Sequence, residues 1–289
     1  MPSTFGESRP LVSVVMTVLN PHPVYFQQAV QSILFQEFSD FELIIVEDPS
    51  PRSGKVILQA LTDPRIRYVE NARKTSLVDQ KNQGIAQASG EYVAYLDADD
   101  IAEPTRLAKQ VGFLQSHREI DVLGSQINLI DDTGAIFGYR SFPLSHDDIV
   151  TAMRRYVPLS HPSLMIRRDV LVRNGGYQLR GYAAPEDYEL WSRLVLAGAT
   201  FANHPEALIR YRLHSGQMKM THLRSTIEGM LHIKRLYWLD KMNWQDRLQM
   251  FGEQVLLWLP MWFVIQMLLI VRYRRHRRSN GTTLGLKLR

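Results

Sequence analysis

Alternation of apolar runs with segments of helical period constrains the fold of this chain more than any other feature. The first run, Val12 to Val18 (VSVVMTV), is almost wholly apolar and rich in valine, the pattern of a strand buried on both faces of a parallel sheet. It closes at Leu19, Asn20 and Pro21, after which Phe26, Ala29, Val30, Ile33 and Leu34 recur on one helical face. Phe41 to Val46 (FELIIV) repeats the strand pattern and ends in Glu47 and Asp48. A helix over Val56 to Leu61, a short strand over Ile66 to Val69 and a helix near Leu77 to Ala88 lead to a further run, Glu91 to Leu96. This βαβαβαβ order predicts an α/β fold: a mostly parallel central sheet with right-handed crossovers and helices on both faces.

Open sheets of this kind bind ligands beyond the carboxyl ends of their strands. Asn20, Asp48 and the cluster Asp97, Asp99 and Asp100 all fall at predicted strand ends, so separate loops converge on one rim. Carboxylates packed as closely as those of the cluster repel one another unless a divalent cation, or donors that replace one, absorbs the charge. Residues i and i+2 of an extended backbone share a side, so Asp97 and Asp99 can face one ion or one phosphate-bearing ligand. Asp99 or Asp100 could instead cap the helix expected to begin at Pro104, a task that needs one carboxylate.

Farther along, Leu107, Val111 and Leu114 mark a helix and Asp121 to Gly124 a strand. Residues 125–160 carry turn signals and little periodicity; they read as irregular, with a hairpin around Gly134. A strand over His161 to Arg167 and a short helix over Val170 to Asn174, stopped by Gly175 and Gly176, follow. Leu190, Trp191 and Leu194 then give helical spacing behind Glu186 and Asp187, acids that pattern alone explains as complements to a helix dipole.

The chain has no cysteine, which leaves carboxylate and imidazole as metal ligands. Its net charge of +5 does not imply nucleic acid, because seven cations and no acid lie in residues 272–289, leaving 27 cations against 29 acids in the body. Met1 to Pro10 has no apolar segment of the secretory kind, so a cytosolic location is expected.

Together these segments resemble the family-2 nucleotide-sugar glycosyltransferases of the GT-A fold over about residues 11–216. The resemblance rests on the opening run Val12 to Asn20, on Ser32 to Gln36 with Phe41 to Ser50, and most specifically on Asn82 to Asp100 (NQGIAQASGEYVAYLDADD). It implies a catalytic domain over residues 10–222, with a nucleotide-binding half at 10–100 and an acceptor-binding half at 101–222. By the same resemblance Asp48, with Glu47 as the alternative, contacts the base. Thr17, Asn20, Lys81 and Asp97 join it on the nucleotide side. Asp97 and Asp99 correspond to the DxD pair that touches ribose and holds Mn²⁺ or Mg²⁺, and His214 is a further candidate ligand. Glu186 and Asp187 match the family's acid pair, Asp187 as the general base of a single inverting displacement. His161 is a candidate for the acceptor side. Leu19, Pro49, Arg52, Ala72 and Arg73 depart from the family pattern and bear on which nucleotide is bound.

Beyond residue 222 two apolar stripes, Met230, Ile233, Leu236 and Tyr237, then Trp244, Leu248, Phe251 and Val255, lie among Lys and Arg. Val255 to Val271 is apolar apart from Gln266, and Arg272 to Arg278 is strongly basic. That run is short for a span, and its flank opposes the positive-inside rule, so residues 223–289 read as helical and interfacial or re-entrant on an anionic membrane. A buried helix is the alternative. The resemblance then implies a lipid-linked acceptor, such as a polyprenyl-diphosphate sugar, at the cytoplasmic face of a bacterial membrane. A sugar-phosphate nucleotidyltransferase and a non-catalytic nucleotide-sugar binder are the rival functions; the first requires a Gly-rich basic loop that Leu19 to Pro23 lacks.

Overall fold

The computed structural model describes residues 9–178, 185–214 and 223–259. Nine strands form one mixed sheet: β1 (Val12–Val18), β2 (Phe41–Glu47), β3 (Ile66–Glu70), β4 (Tyr92–Tyr95), β5 (Ile101–Ala102), β6 (Val122–Ile130), β7 (Ile136–Arg140), β8 (Met165–Arg167) and β9 (Phe201–Arg212). The spatial order is β3-β2-β1-β4-β8-β6-β9-β5, with β7 paired to β6. β3, β2, β1 and β4 run parallel, as their apolar pattern requires. β8 then opposes both β4 and β6, β6 and β9 run parallel, and β5 closes the edge antiparallel to β9.

Helices cover both faces. α1 (Pro23–Leu34) and α4 (Arg106–Ser116) bury Phe26, Val30, Ile33, Leu107, Val111 and Leu114 against Val12, Val14, Met16 and Val18 of β1. Val15, pointing the other way, joins the second core, where α3 (Leu77–Gln87), α5 (His146–Met153), α6 (Arg168–Arg173) and α7 (Glu186–Leu196) bring Val78, Ile85, Ile149, Met153, Val170, Leu171, Trp191 and Leu194. Period-two alternation along a single strand thus feeds both layers.

Several expectations are corrected. The helix expected over Val56 to Leu61 is a four-residue turn of helix, α2 (Gly54–Ile57). Residues 125–160 are more ordered than their periodicity suggests: β6 continues to Ile130, the expected hairpin forms with β7, and α5 follows behind Ser145, whose hydroxyl caps Asp148 N–H. His161 to Ser163 forms a turn of 3₁₀ helix before the three-residue β8. Neither Asp99 nor Asp100 caps α4, whose N-cap is Thr105. α8 (Leu223–Ile233) and α9 (Trp244–Leu256) carry the two C-terminal stripes. No helix among the described residues is long and apolar enough to cross a membrane, and residues 260–271 of the apolar run lie outside them.

Two glycines test how tightly the α3–β4 connection lies on β1. A Cβ on Gly90 would meet Ser13 N at 2.7 Å and Val12 C at 2.9 Å, whereas one on Gly112 in α4 meets nothing within 4 Å. Backbone cannot yield as a side-chain tip can. Gly90→Ala is therefore expected to destabilise by about 1–3 kcal/mol and Gly112→Ala to stabilise by about 0.5–1 kcal/mol, both read from urea unfolding midpoints at unchanged slope.

Candidate active site

The acidic cluster occupies the turn between β4 and β5. Asp100 is fully buried, and its Oδ1 accepts from Arg212 N–H at 2.8 Å, because β5 pairs with β9 immediately beyond it. Arg212 itself is fully buried. Its guanidinium donates to Asp99 O at 2.9 Å, Asp131 O at 2.9 Å and Gln28 Oε1 at 2.8 Å, and lies 4.2 Å from the Tyr25 ring centroid. One arginine thus ties the acidic turn to α1, to the β6–β7 hairpin and to the end of β9. Behind the turn, buried Arg106 donates to Tyr95 O at 2.8 Å and bonds Gln110 at 2.9 Å; burial lowers its pKa to about 9, against the pull of Asp100 and Asp97.

Asp97 and Asp99 are the partly exposed members of the cluster. Carboxylate oxygens of Asp97, Asp99 and Asp100 lie within 4.8 Å of one another. Burial, then the neighbouring Asp97 charge, pushes the Asp99 carboxyl above the usual aspartate range, while His214 draws it back. His214, two residues past the end of β9, places Nε2 at 2.8 Å from Asp99 Oδ2. These hard oxygen donors and one imidazole suit Mn²⁺ or Mg²⁺, and a cation would relieve the crowding that burial creates.

Of the residues expected to meet a nucleotide, Asp48 is buried at the end of β2 and already has several donors: Asn71 Nδ2 at 2.8 Å and Thr75 N–H at 2.6 Å among them. Burial works against its ionisation, but these bonds win and hold it below the usual range. Glu47 accepts from Gly54 N–H at 2.5 Å and Tyr68 OH at 2.8 Å. Asp48 therefore shapes the loop 71–75 while Glu47 shapes α2. Asn20 adopts φ 51°, a left-handed turn that Asn tolerates, and its N–H donates to Ser50 Oγ at 2.9 Å. Thr17 is half-buried, opposite Val46.

Lys81, expected on the nucleotide side, is paired here with an acid. It is buried on α3, with Nζ 2.6 Å from Glu186 Oε1 and 4.8 Å from the Tyr177 ring centroid. Next to it, Asn82 clamps the backbone of Tyr177, donating to its O and accepting from its N–H at 2.9 Å each. Tyr177 OH meets His161 Nε2 at 2.9 Å, and His161 Nδ1 lies 3.6 Å from Asp97 Oδ1. Asp97, His161, Tyr177, Lys81 and Glu186 thus form one chain of contacts that joins the two acidic stretches. Asp187 follows Glu186 in the first turn of α7 and accepts from Tyr188 N–H at 2.7 Å.

Sequence reasoning missed Tyr177, Asn82 and Arg106 as site-building residues. Asn82 beside Lys81 in the most specific motif was the one available signal. Tyr177 carries none, because its position depends on Gly176 at φ 59°, where a Cβ would meet Asn82 Oδ1 at 2.5 Å.

The description "Glycosyl transferase family 2" belongs to a family model that matches residues 13–174. Among curated proteins, a glycosyltransferase of Haemophilus influenzae is 31% identical over 253 residues, covering 82% of this chain and 77% of that one. The amylovoran biosynthesis glycosyltransferase AmsE of Erwinia amylovora is 28% identical over 78% of this chain and 85% of its own. The O-antigen biosynthesis glycosyltransferase WbnJ of Escherichia coli is 28% identical over 71% and 80%. Residues 1–349 of S. aureus TarS, solved with UDP-GlcNAc, share the fold at TM-score 0.64 and 17% identity, over 78% of this chain and 66% of that one. With the mixed sheet, the acidic turn and the matched family model in agreement, the chain belongs to glycosyl transferase family 2.

Proposed function

We propose that the chain transfers a sugar, with inversion, from a nucleotide-diphosphate donor to a hydroxyl of a sugar acceptor, in a reaction that depends on Mn²⁺ or Mg²⁺. The observation that carries this reading is the contact chain from Asp97 through His161 and Tyr177 to Lys81 and Glu186. It joins the two acidic stretches, which supports reading one as the cation's and the other as the base's. The UDP-GlcNAc bound by TarS makes a UDP-sugar the first donor to test.

Asp97 and Asp99, with His214, would hold the cation. When bound, it supplies positive charge to the diphosphate that leaves. Asp187 is the residue that accepts the proton of the attacking acceptor hydroxyl. Its neighbour Glu186 is committed to Lys81 and anchors the start of α7, so Asp187 keeps its place while its partner stays ionised. His161, held by Tyr177 OH and tilted against the Tyr95 ring at 4.7 Å, lines the wall between the two acid pairs. Asp48 and Asn20 hold the loops that would close on the base and ribose.

The relatives named for amylovoran and O-antigen biosynthesis support an acceptor in surface-polysaccharide assembly, carried on a lipid diphosphate at the cytoplasmic face of a bacterial membrane. Residues 223–289 are the region proposed to meet that membrane.

Four outcomes are expected. Asp187→Asn lowers kcat by about 10²–10⁴ while donor affinity, read by calorimetry, is kept; turnover at the wild-type rate overturns the base assignment, and no turnover in either protein indicates a binding module. Asp99→Ala, or EDTA on the wild type, abolishes the rise in melting temperature that UDP-sugar with Mn²⁺ produces by mass action. The third concerns pH. Burial opposes ionisation of Glu186, yet the charge and hydrogen bond of Lys81 lower its pKa from 4.5 to about 2. A depressed carboxylate contributes stability above its unfolded pKa and loses it as pH falls through its folded one. Wild-type stability should therefore drop between roughly pH 4.5 and pH 2, and Glu186→Gln should flatten that part of the stability–pH curve. Lys81→Met leaves the carboxylate buried and alone, at a cost of about 3–5 kcal/mol.

A further inference from the structure

α9 turns part of its apolar surface outward, while the acids Asp246 and Glu253 bind the protein beneath it. Asp246 is buried and receives Arg155 Nε at 2.5 Å, Glu253 receives the buried Lys234 at 2.6 Å, and Gln249 donates to Arg155 O at 3.2 Å. On the outer face Trp244, Leu248, Phe251 and Val255 are 72, 62, 61 and 42% exposed, and Trp258, two residues past the end of the helix, is 89% exposed. They recur at intervals of four and three residues and so make one continuous stripe. Glu189 and Ser192 of α7 bind the same unit, accepting from Tyr237 OH at 2.7 Å and from Trp238 Nε1 at 2.9 Å.

We propose that this stripe of α9 lies flat in the interfacial layer of an anionic lipid bilayer, and that the polar contacts beneath it hold the Glu186–Asp187 end of α7 at a fixed height above the lipid. The inference rests on the membrane location proposed above and names the surface that makes the contact. Three features favour lipid over a second copy of the chain. Tryptophans stand at both ends of the stripe, as amphipathic rings do at a membrane interface. The sequence passes from Trp258 directly into the apolar run 260–271 and then into five arginines between Arg272 and Arg278, an order suited to acyl chains and then phosphate headgroups. Arg247 flanks the stripe, and exposed Arg224 donates to Leu257 O at 2.9 Å, so cations border the apolar face.

The test uses the full chain and sedimentation with vesicles of phosphatidylethanolamine and phosphatidylglycerol, which reads binding without requiring sugar transfer. Leu248→Glu combined with Phe251→Glu should weaken vesicle binding on the order of tenfold or more at unchanged melting temperature, since both side chains are exposed. Phe35→Glu, on the equally exposed end of α1, should bind as the wild type does. Vesicle binding by the double variant equal to that of the wild type overturns the proposal and leaves residues 260–289 as the contact. A wild type that ignores vesicles but forms a dimer that the double variant abolishes also overturns it, in favour of pairing between two copies. Failure of transfer with vesicle binding intact counts against the catalytic reading alone.

Discussion

The concentration of negative charge at the end of β4 is the constraint to which the rest of the molecule answers. Three carboxylates could not share so small a volume without positive charge and donors arranged around them in advance. Arg212 and Arg106, both fully buried, supply that arrangement from two sides, and His214 adds a third contact. The topology follows from the need to bring Arg212 there: β9 must run beside β6 and then turn its last residues onto β5, which is only two residues long and exists where the acidic turn needs a lid. The acids that remain accessible are those a ligand can use.

A second set of interactions connects this charged turn to α7. Lys81 and Asn82 are adjacent, yet each acts on a different neighbour: one neutralises Glu186, the other fixes Tyr177. Because the Lys81–Glu186 pair is buried, the geometry of the helix start depends on charge as well as packing, and removing one partner is far more disruptive than removing both. His161 completes the link to Asp97.

The first hundred residues were legible in the sequence because their central strands are buried on both faces and announce themselves as apolar runs, each followed by a polar strand end. The second half hid its order for local reasons. α5 is short, and only Ile149, Ala152 and Met153 betray its buried face, although Ser145 and Asp148 stand at capping distance. β9 is interrupted by Pro205, which argues against a strand in any single-sequence reading. The acid pairs were visible as residue types, but their connection was not, since Tyr177 and Lys81 meet through tertiary packing that no spacing encodes. Lys81 shows the limit most plainly: nothing near it along the chain announces the buried pair it makes with a glutamate 105 residues away.

The irregularity around Pro205 does more than accommodate a proline. Along β6 the partners step from His204 to Ala207 and then to Ile209, so β9 carries three more residues than its neighbour across that stretch. An odd excess interchanges the two sides of a pleated strand. Phe201 and Ile209, which an unbroken strand would point the same way, accordingly sit in opposite cores. Tyr211 follows Ile209, and Arg212 is left on the reverse side. The parity of this small insertion therefore sets which core each of these two neighbouring side chains turns toward, and the irregularity can lengthen or shorten only in steps of two without exchanging them.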